Sequence, residues 1–229
     1  MALLFRSVKQ VWQFSEELSD PANVSFITSP IFLVSFLTTY VLLVTKLVPS
    51  FMEHRRPYNI RRIIIVYNII QILVNVYLVI KSLIVYAHSP YLICVESTME
   101  HLITSGRWEV FFLKAFDCVE TVFFVLKKNY RQVSFLHVYH HSGMVLLTWI
   151  SLKFNLGPLV LFVPALNCFV HAVMFTYYLL SSIDPEWKKR TDLKKRLTQL
   201  QLIQFFLFVC HALSTWYCLA ARILLRSEP

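Results

Sequence analysis

The chain has 229 residues, of which 57% are hydrophobic and only 15% are charged, and its mean hydropathy is +0.58. Soluble domains carry about a quarter charged residues, so this composition excludes an ordinary soluble globular protein and indicates a membrane protein with several spans. The formal net charge is +9, and the three glycines are too few for a glycine-rich phosphate-binding loop.

Six runs of mostly apolar residues each approach the roughly 20 residues that a helix needs to cross a bilayer. The predicted spans are Pro30–Val48, Ile63–Tyr86, Trp108–Leu126, Phe135–Lys153, Pro158–Ser181 and Leu197–Ala221. The stretch between His88 and Arg107 is too polar to span and is predicted as a partly interfacial loop. We therefore predict an all-α polytopic membrane helix bundle. Its transmembrane domain covers residues 30–221, after a lumenal segment 1–29 with an interfacial helix and before a short tail 222–229.

Basic residues predict the orientation of these spans, since cytoplasmic loops carry an excess of lysine and arginine. The loops after the first, third and fifth spans hold thirteen basic residues, against six on the opposite side. Both termini are therefore predicted on the lumenal side. The glycosylation sequon at Asn23 gives weak support to that orientation.

Three histidines stand close together in His137–Val138–Tyr139–His140–His141, at the start of the fourth span. On a helix, residues three and four positions apart lie on one face, and ionisable side chains inside a membrane are usually functional. Other spans also place polar residues at helical spacing. These residues are Asn68, Gln71, Asn75, Lys114, Asp117, Glu120, Thr121, Asn167, His171, Tyr178, Gln201 and Gln204. For the polar residues of the second span, hydrogen bonding between helices is as good an explanation as a functional role.

Four motifs follow one another in a recognisable order. They are Lys114-x-x-Asp117-x-x-Glu120-Thr121, His137–Val138–Tyr139–His140–His141, His171-x-x-Met174-Phe175-x-Tyr177-Tyr178 and Thr198-x-x-Gln201-x-x-Gln204. With them, the chain from about Phe32 onward resembles the very-long-chain fatty-acid elongase (ELO) family of the endoplasmic reticulum. The chain departs from the family pattern in exchanging the two carboxylates at Asp117 and Glu120, in having Phe175 in place of tyrosine, and in having six predicted spans where seven are usual.

The resemblance implies the condensing step of fatty-acid elongation. An acyl-CoA and malonyl-CoA would give a 3-oxoacyl-CoA two carbons longer, with release of CO2 and CoA, and the helices would enclose an acyl tunnel. Neutral imidazole attacks thioesters, so His140 is the expected acyl acceptor, with His137 and His141 orienting it or acting as a base. His171 would bind the malonyl unit or promote its decarboxylation.

The remaining site residues receive supporting roles from the same resemblance. Asp117 and Glu120 would set the histidine tautomers, and Lys114, Asn167 and Gln201 would polarise the thioester carbonyl or fix the carboxylate. The expected binding residues for CoA phosphates or other substrate groups are Thr121, Lys127, Lys128, Arg131, Tyr178, Lys188 and Gln204.

No metal or other cofactor is expected beyond the acyl-CoA and malonyl-CoA substrates. The expected partners are the lipid bilayer, the reductase and dehydratase of the elongation cycle and a second copy of the chain, with no nucleic acid. The expected location is the endoplasmic reticulum membrane.

Three alternatives remain open at this stage. His137, His140, His141 and His171 have a spacing that also suits a metal ion, as in a histidine-box desaturase or hydroxylase. A transporter or lipid-binding membrane protein would account for the polar face of the second span but would leave the histidines unexplained. A catalytically impaired elongase homologue would keep the motifs without the activity.

Overall fold

A computed structural model describes residues 26–88, 97–154 and 162–226 of the chain. All regular secondary structure within these ranges is helical, which confirms the all-α prediction. The predicted interfacial helix near the N-terminus, the sequon at Asn23 and the last three residues of the tail lie outside the described residues.

Six long helices account for most of the described chain. They are α1 (Pro30–Met52), α2 (Arg61–His88), α3 (Ser97–Leu126), α4 (Phe135–Lys153), α5 (Phe162–Ile183) and α6 (Thr191–Arg226). Short 3-10 segments lie at Phe26–Thr28, Tyr130–Gln132 and Pro185–Lys189. Each predicted span is therefore a helix.

Four of these helices are long and apolar enough to cross a membrane, counting only the residues that the structure describes: α1, α2, α5 and the Thr191–Ser214 part of α6. The other two, α3 and α4, carry the charged residues and the histidine cluster, which lower their hydropathy. The chain is thus an all-helical, multi-pass membrane protein. Membrane crossing by α3 and α4 stays a prediction.

Two helices begin earlier than the sequence indicated. The loop predicted between His88 and Arg107 is wrong for residues 97–107, which form the first turns of α3. Likewise α6 begins at Thr191, so that Lys194, Lys195 and Arg196 lie on a helix and not in a loop. Hydropathy marks where a helix leaves an apolar environment, whereas the helix itself continues through polar residues until a breaker or a competing cap intervenes.

The chain forms two compact units, one built from α1, α3 and α4 and the other from α2, α5 and α6. The single transmembrane domain 30–221 stays a prediction beside this division.

The first unit packs around an apolar core to which α1, α3 and α4 all contribute side chains. Leu33, Phe111, Val145 and Leu152 are among its buried members. The indole N–H of Trp149 donates to the Ile27 carbonyl at 3.0 Å, which ties α4 to the segment before α1. Within α1, residues Leu43–Leu47 form a π-helical turn just before Pro49. Proline lacks the N–H that an α-helical turn would use, so a local widening at this position is expected.

In the second unit, α2 and α5 run antiparallel. The Arg61 guanidinium at the start of α2 donates to the carbonyls of Ser182 and Ile183 at the end of α5, at 2.7 and 2.6 Å. Two turns further along, the rings of Tyr67 and Phe175 make an edge contact with centroids 5.8 Å apart. This register places the middle of α2 beside the middle of α5, where both helices carry their buried polar residues.

Candidate functional site

Helix α3 presents four buried polar side chains to the interior of the first unit. Lys114, Asp117, Glu120 and Thr121 are between 0% and 7% exposed. The Lys114 ammonium lies 3.0 Å from a carboxylate oxygen of Asp117, one turn further along the helix. A buried cation and a buried carboxylate each carry a large desolvation cost, so this pair keeps both charges in the interior at lower cost than either alone.

Helix α4 begins immediately before the histidine cluster and orients it. The Ser134 hydroxyl caps the helix by accepting a hydrogen bond from the His137 backbone N–H at 3.2 Å. This is the preferred N-cap arrangement of serine, and it fixes His137 in the first turn. The rings of His137 and His141 then lie one turn apart with centroids at 4.3 Å, and His140 makes an edge contact with His141 at 5.7 Å. His141 is buried, whereas His137 and His140 are half-buried.

The polar groups of α3 meet the histidines of α4 at two points. A carboxylate oxygen of Glu120 and one ring nitrogen each of His137 and His141 all lie within 4.8 Å of one another. One residue further along α3, the Thr121 hydroxyl lies 3.0 Å from His137 Nε2. The structure therefore brings together the two motifs that supply most of the predicted catalytic residues.

The order of the two carboxylates suits this arrangement. The shorter Asp117 pairs with Lys114 within the same helix, and the longer Glu120 reaches the histidines of the neighbouring helix. The exchange of aspartate and glutamate relative to the family pattern thus gives the longer side chain to the contact between helices.

Tyr40 on α1 belongs to the same hydrogen-bond network, although no motif in the sequence marks it. Its hydroxyl lies 2.9 Å from the Thr121 hydroxyl, and the side chain is 5% exposed. The only signal in the sequence was a tyrosine in the middle of an apolar span. Buried tyrosine hydroxyls usually find a partner, but the sequence could not tell which helix supplies it.

Replacing Thr121 with valine should lower the free energy of unfolding by about 1–3 kcal/mol, because it leaves the buried Tyr40 hydroxyl without its partner. Thr121→Val also removes the hydrogen bond to His137 Nε2. The double variant Thr121→Val/Tyr40→Phe should therefore recover the part of the loss that comes from the unpaired Tyr40 hydroxyl. The measurement is unfolding in mixed detergent micelles for the wild type, both single variants and the double variant. Additive losses in the double variant would contradict the buried hydrogen bond.

Three basic residues follow α3 at the predicted CoA-binding rim. Lys127, Lys128 and Arg131 lie at or just beyond the end of the helix, and Lys127 and Arg131 are exposed. Lys128 adopts a left-handed conformation with φ of 55° and closes the helix by the two backbone hydrogen bonds of a Schellman motif. Its ammonium donates to the Glu53 carbonyl at 3.1 Å, a neutral acceptor that does not cancel the positive charge.

The second unit contains its own set of buried polar side chains, on α2. Asn68, Gln71 and Asn75 are at most 2% exposed, and they follow the helical spacing noted in the sequence. The Gln71 amide donates to the Tyr67 hydroxyl at 2.8 Å, and the Asn75 amide donates to the Gln71 side-chain oxygen at 3.1 Å. These bonds connect the polar face along two turns of α2.

The predicted site residues of α5 and α6 lie in this second unit. Asn167, His171 and Gln204 are buried, Tyr178 and Gln201 are half-buried, and Lys188 is exposed on the 3-10 segment before α6. The His171 ring contacts Phe175 at 5.8 Å between centroids. The Gln201 amide lies 3.6 Å from the Met174 sulfur, which links α6 to α5.

Several buried amides of this unit have polar atoms without a hydrogen-bond partner in the described part of the chain. These atoms are Asn68 Nδ2, Asn75 Oδ1, Asn167 Oδ1 and Gln204 Oε1. Leaving such a group unpaired costs about 1–3 kcal/mol, and unsatisfied buried groups of this kind usually bind water or a ligand. Three of these atoms are acceptors and one is a donor, and each could bind water or a polar group of a ligand.

Further along α2 and α5, a cavity of about 510 Å³ has an almost wholly apolar lining. Its walls are Val79, Ser82, Leu83, Tyr86, Phe162, Ala165, Leu166 and Phe169. The second unit therefore combines a buried polar face with an adjacent apolar pocket.

These features define a multi-pass membrane protein whose helices bury carboxylates, a lysine and two histidines, His141 and His171. The sequence matches the model of the ELO family (GNS1/SUR4) over residues 25–223. The chain belongs to this family.

Similarity to individual relatives supports the assignment. The chain is 34% identical over 215 residues to very long chain fatty acid elongase 7 of Drosophila melanogaster, covering 87% of this chain and 63% of that protein. It is 37% identical over 204 residues to very long chain fatty acid elongase F of the same species, covering 86% and 79%. It is 34% identical over 212 residues to human very long chain fatty acid elongase 4, covering 90% and 67%. The chain spans 63% of the length of the Drosophila elongase 7. It spans 62% of the length of a further relative, a very long chain fatty acid elongase of Aedes aegypti.

Proposed function

We propose that the chain is a condensing acyltransferase that joins a long-chain acyl-CoA to malonyl-CoA in the endoplasmic reticulum membrane. The observation that carries this proposal is the buried cluster of α3 and α4, in which Glu120 lies against His137 and His141. Membership in the ELO family and the names of the relatives point to the same chemistry.

In the proposed reaction, His140 attacks the thioester carbonyl of the acyl-CoA and CoA leaves as the thiol. Malonyl-CoA then loses CO2, and the resulting enolate carbon attacks the acyl-imidazole. The product is a 3-oxoacyl-CoA extended by two carbons, and His140 is regenerated. Neutral imidazole is a competent nucleophile of this kind when a neighbouring base takes up its proton.

The neighbours of His140 suit the supporting roles. The carboxylate of Glu120 can hold His141 in one tautomer, as carboxylates beside functional histidines do. The Lys114–Asp117 pair places a cation in the same interior, where it would stabilise negative charge that develops on a carbonyl oxygen. The exposed Lys127 and Arg131 supply positive charge for CoA phosphates.

In the second unit, we propose that the buried amides bind polar groups of a substrate and that His171 assists decarboxylation of the malonyl unit. The unsatisfied atoms of Asn167 and Gln204 support a binding role. Lys188 would add to the charge available for phosphates. The proposed partners are the reductase and dehydratase that process a 3-oxoacyl-CoA, and a second copy of the chain.

The test is a condensation assay with purified protein in proteoliposomes. Labelled malonyl-CoA is supplied with a panel of acyl-CoAs, and both CO2 release and the 3-oxoacyl-CoA product are measured. Product formation and CO2 release that depend on acyl-CoA are expected. Absence of both with every acyl-CoA tested would contradict the proposed activity and favour a catalytically impaired homologue.

A further inference from the structure

Glu120, His137 and His141, which the proposed function places beside His140, also form a compact set of potential metal ligands. One carboxylate oxygen and two imidazole nitrogens all lie within 4.8 Å of one another. Two histidines and one glutamate are a recurrent ligand set for Zn²⁺, which binds nitrogen at about 2.0–2.1 Å and carboxylate oxygen at a similar distance.

The backbone supports this arrangement from two helices. His137 and His141 are four residues apart on α4, the spacing at which helical histidine pairs bind zinc, and their rings lie 4.3 Å apart. Glu120 approaches from α3 and is 7% exposed, while His141 is 6% exposed. Two of the three ligands are thus shielded from competing solvent, and all three are held on helices.

A further hydrogen bond favours the same interpretation. Histidine ligands usually direct their second ring nitrogen to a hydrogen-bond acceptor, which fixes the tautomer. The Thr121 hydroxyl lies 3.0 Å from His137 Nε2 and is itself bonded to the Tyr40 hydroxyl. Because this bond occupies Nε2, an ion at this site would be bound through Nδ1 of His137.

We propose that Glu120, His137 and His141 bind one Zn²⁺ ion, and that zinc acts as a reversible inhibitor of this protein. His140 is outside the ligand set, with its ring centroid 5.7 Å from that of His141. Two imidazoles and one carboxylate select zinc over magnesium or calcium, which prefer oxygen ligands. A zinc-bound neutral imidazole has no lone pair with which to act as a base, so bound zinc would inhibit the reaction. This inhibitory effect rests on the proposed function.

Binding is tested without any activity measurement. Purified protein in detergent is titrated with Zn²⁺ against a chromophoric chelator, and with Co²⁺, whose visible absorption reports four-coordinate nitrogen and oxygen ligands. One ion per chain is expected. Glu120→Gln should weaken binding at least about tenfold, since even outer-shell changes cost 10–100-fold in affinity. Glu109→Gln, on the same helix three turns earlier, is the matched control and should bind as the wild type does.

A second variant separates this site from a histidine-only site. His140→Ala keeps all three proposed ligands, so its zinc affinity should match that of the wild type. Loss of binding in His140→Ala together with retention in Glu120→Gln would overturn the assignment, as would the absence of stoichiometric binding.

The inhibitory effect is tested in the condensation assay, where Zn²⁺ should lower the rate and a chelator should restore it. An unchanged rate at saturating zinc would overturn the inhibition. A protein that binds zinc but condenses no substrate would contradict the proposed function and leave the metal site standing, so the two failures are distinguishable.

Discussion

His140→Ala should reduce condensation by at least about a hundred-fold, while the protein stays folded. If His140 carries the acyl group, alanine removes the nucleophile, and loss of a positioned catalytic group of this kind typically costs two to four orders of magnitude or more. The side chain is only half-buried, so its removal should leave little cavity and little loss of stability. The measurement is acyl-CoA-dependent CO2 release, together with unfolding in detergent to confirm the fold.

The neighbouring residue supplies the control for this experiment. Tyr139 precedes His140 on α4, is 65% exposed and stacks on Phe135. Tyr139→Ala therefore changes the same helix turn without touching the buried cluster, and it should keep the wild-type rate. Product formation at the wild-type rate by a folded His140→Ala protein would contradict the proposal that His140 forms the acyl-imidazole.

Lys114→Met should be strongly destabilising, by about 3–5 kcal/mol. The reason is that methionine fills the space of lysine but leaves the Asp117 carboxylate buried without its cation, and breaking a buried ion pair from one side typically has this cost. Both side chains of the pair are 2% exposed, and the two charged atoms lie 3.0 Å apart. Unfolding in mixed micelles at constant lipid and detergent composition measures the loss.

Two comparisons test the reason for that loss. The double variant Lys114→Met/Asp117→Leu removes both charges and should recover most of the stability, because an apolar pair of similar volume is often neutral or better than a buried ion pair. The matched surface pair is Lys189–Glu186, whose side chains are 73% and 70% exposed. Lys189→Met should cost at most about 1 kcal/mol. Equal losses at the two lysines would contradict the buried-pair interpretation.

Much of the fold followed from local sequence patterns. The six apolar runs became six helices because a segment of that length and composition satisfies its backbone only as a helix in an apolar environment. The Phe135–Lys153 helix has the predicted bounds, since Ser134 supplies a cap that is recognisable in the sequence. The start of α3 at Ser97 was missed, because its first turns are helical but polar and carry no apolar signal.

The residues of the candidate site were also visible in the sequence, but their pairing was not. Helical spacing placed His137 and His141 on one face, and the same reasoning placed Lys114 near Asp117. The pairing of Glu120 with the histidines depends on how α3 and α4 are rotated and at what depth they meet. Neither quantity is encoded in the period of a single helix.

The sequence by itself determined that this protein is an all-helical membrane protein, and it indicated most of the buried polar side chains of the candidate site. It did so because apolar length and helical periodicity are properties of each segment alone. The tertiary structure decided that Thr121 holds His137, that Tyr40 completes that network from α1, and that Glu120 lies within reach of two histidines. These are contacts between helices, and their geometry is set by the packing of all the side chains around them.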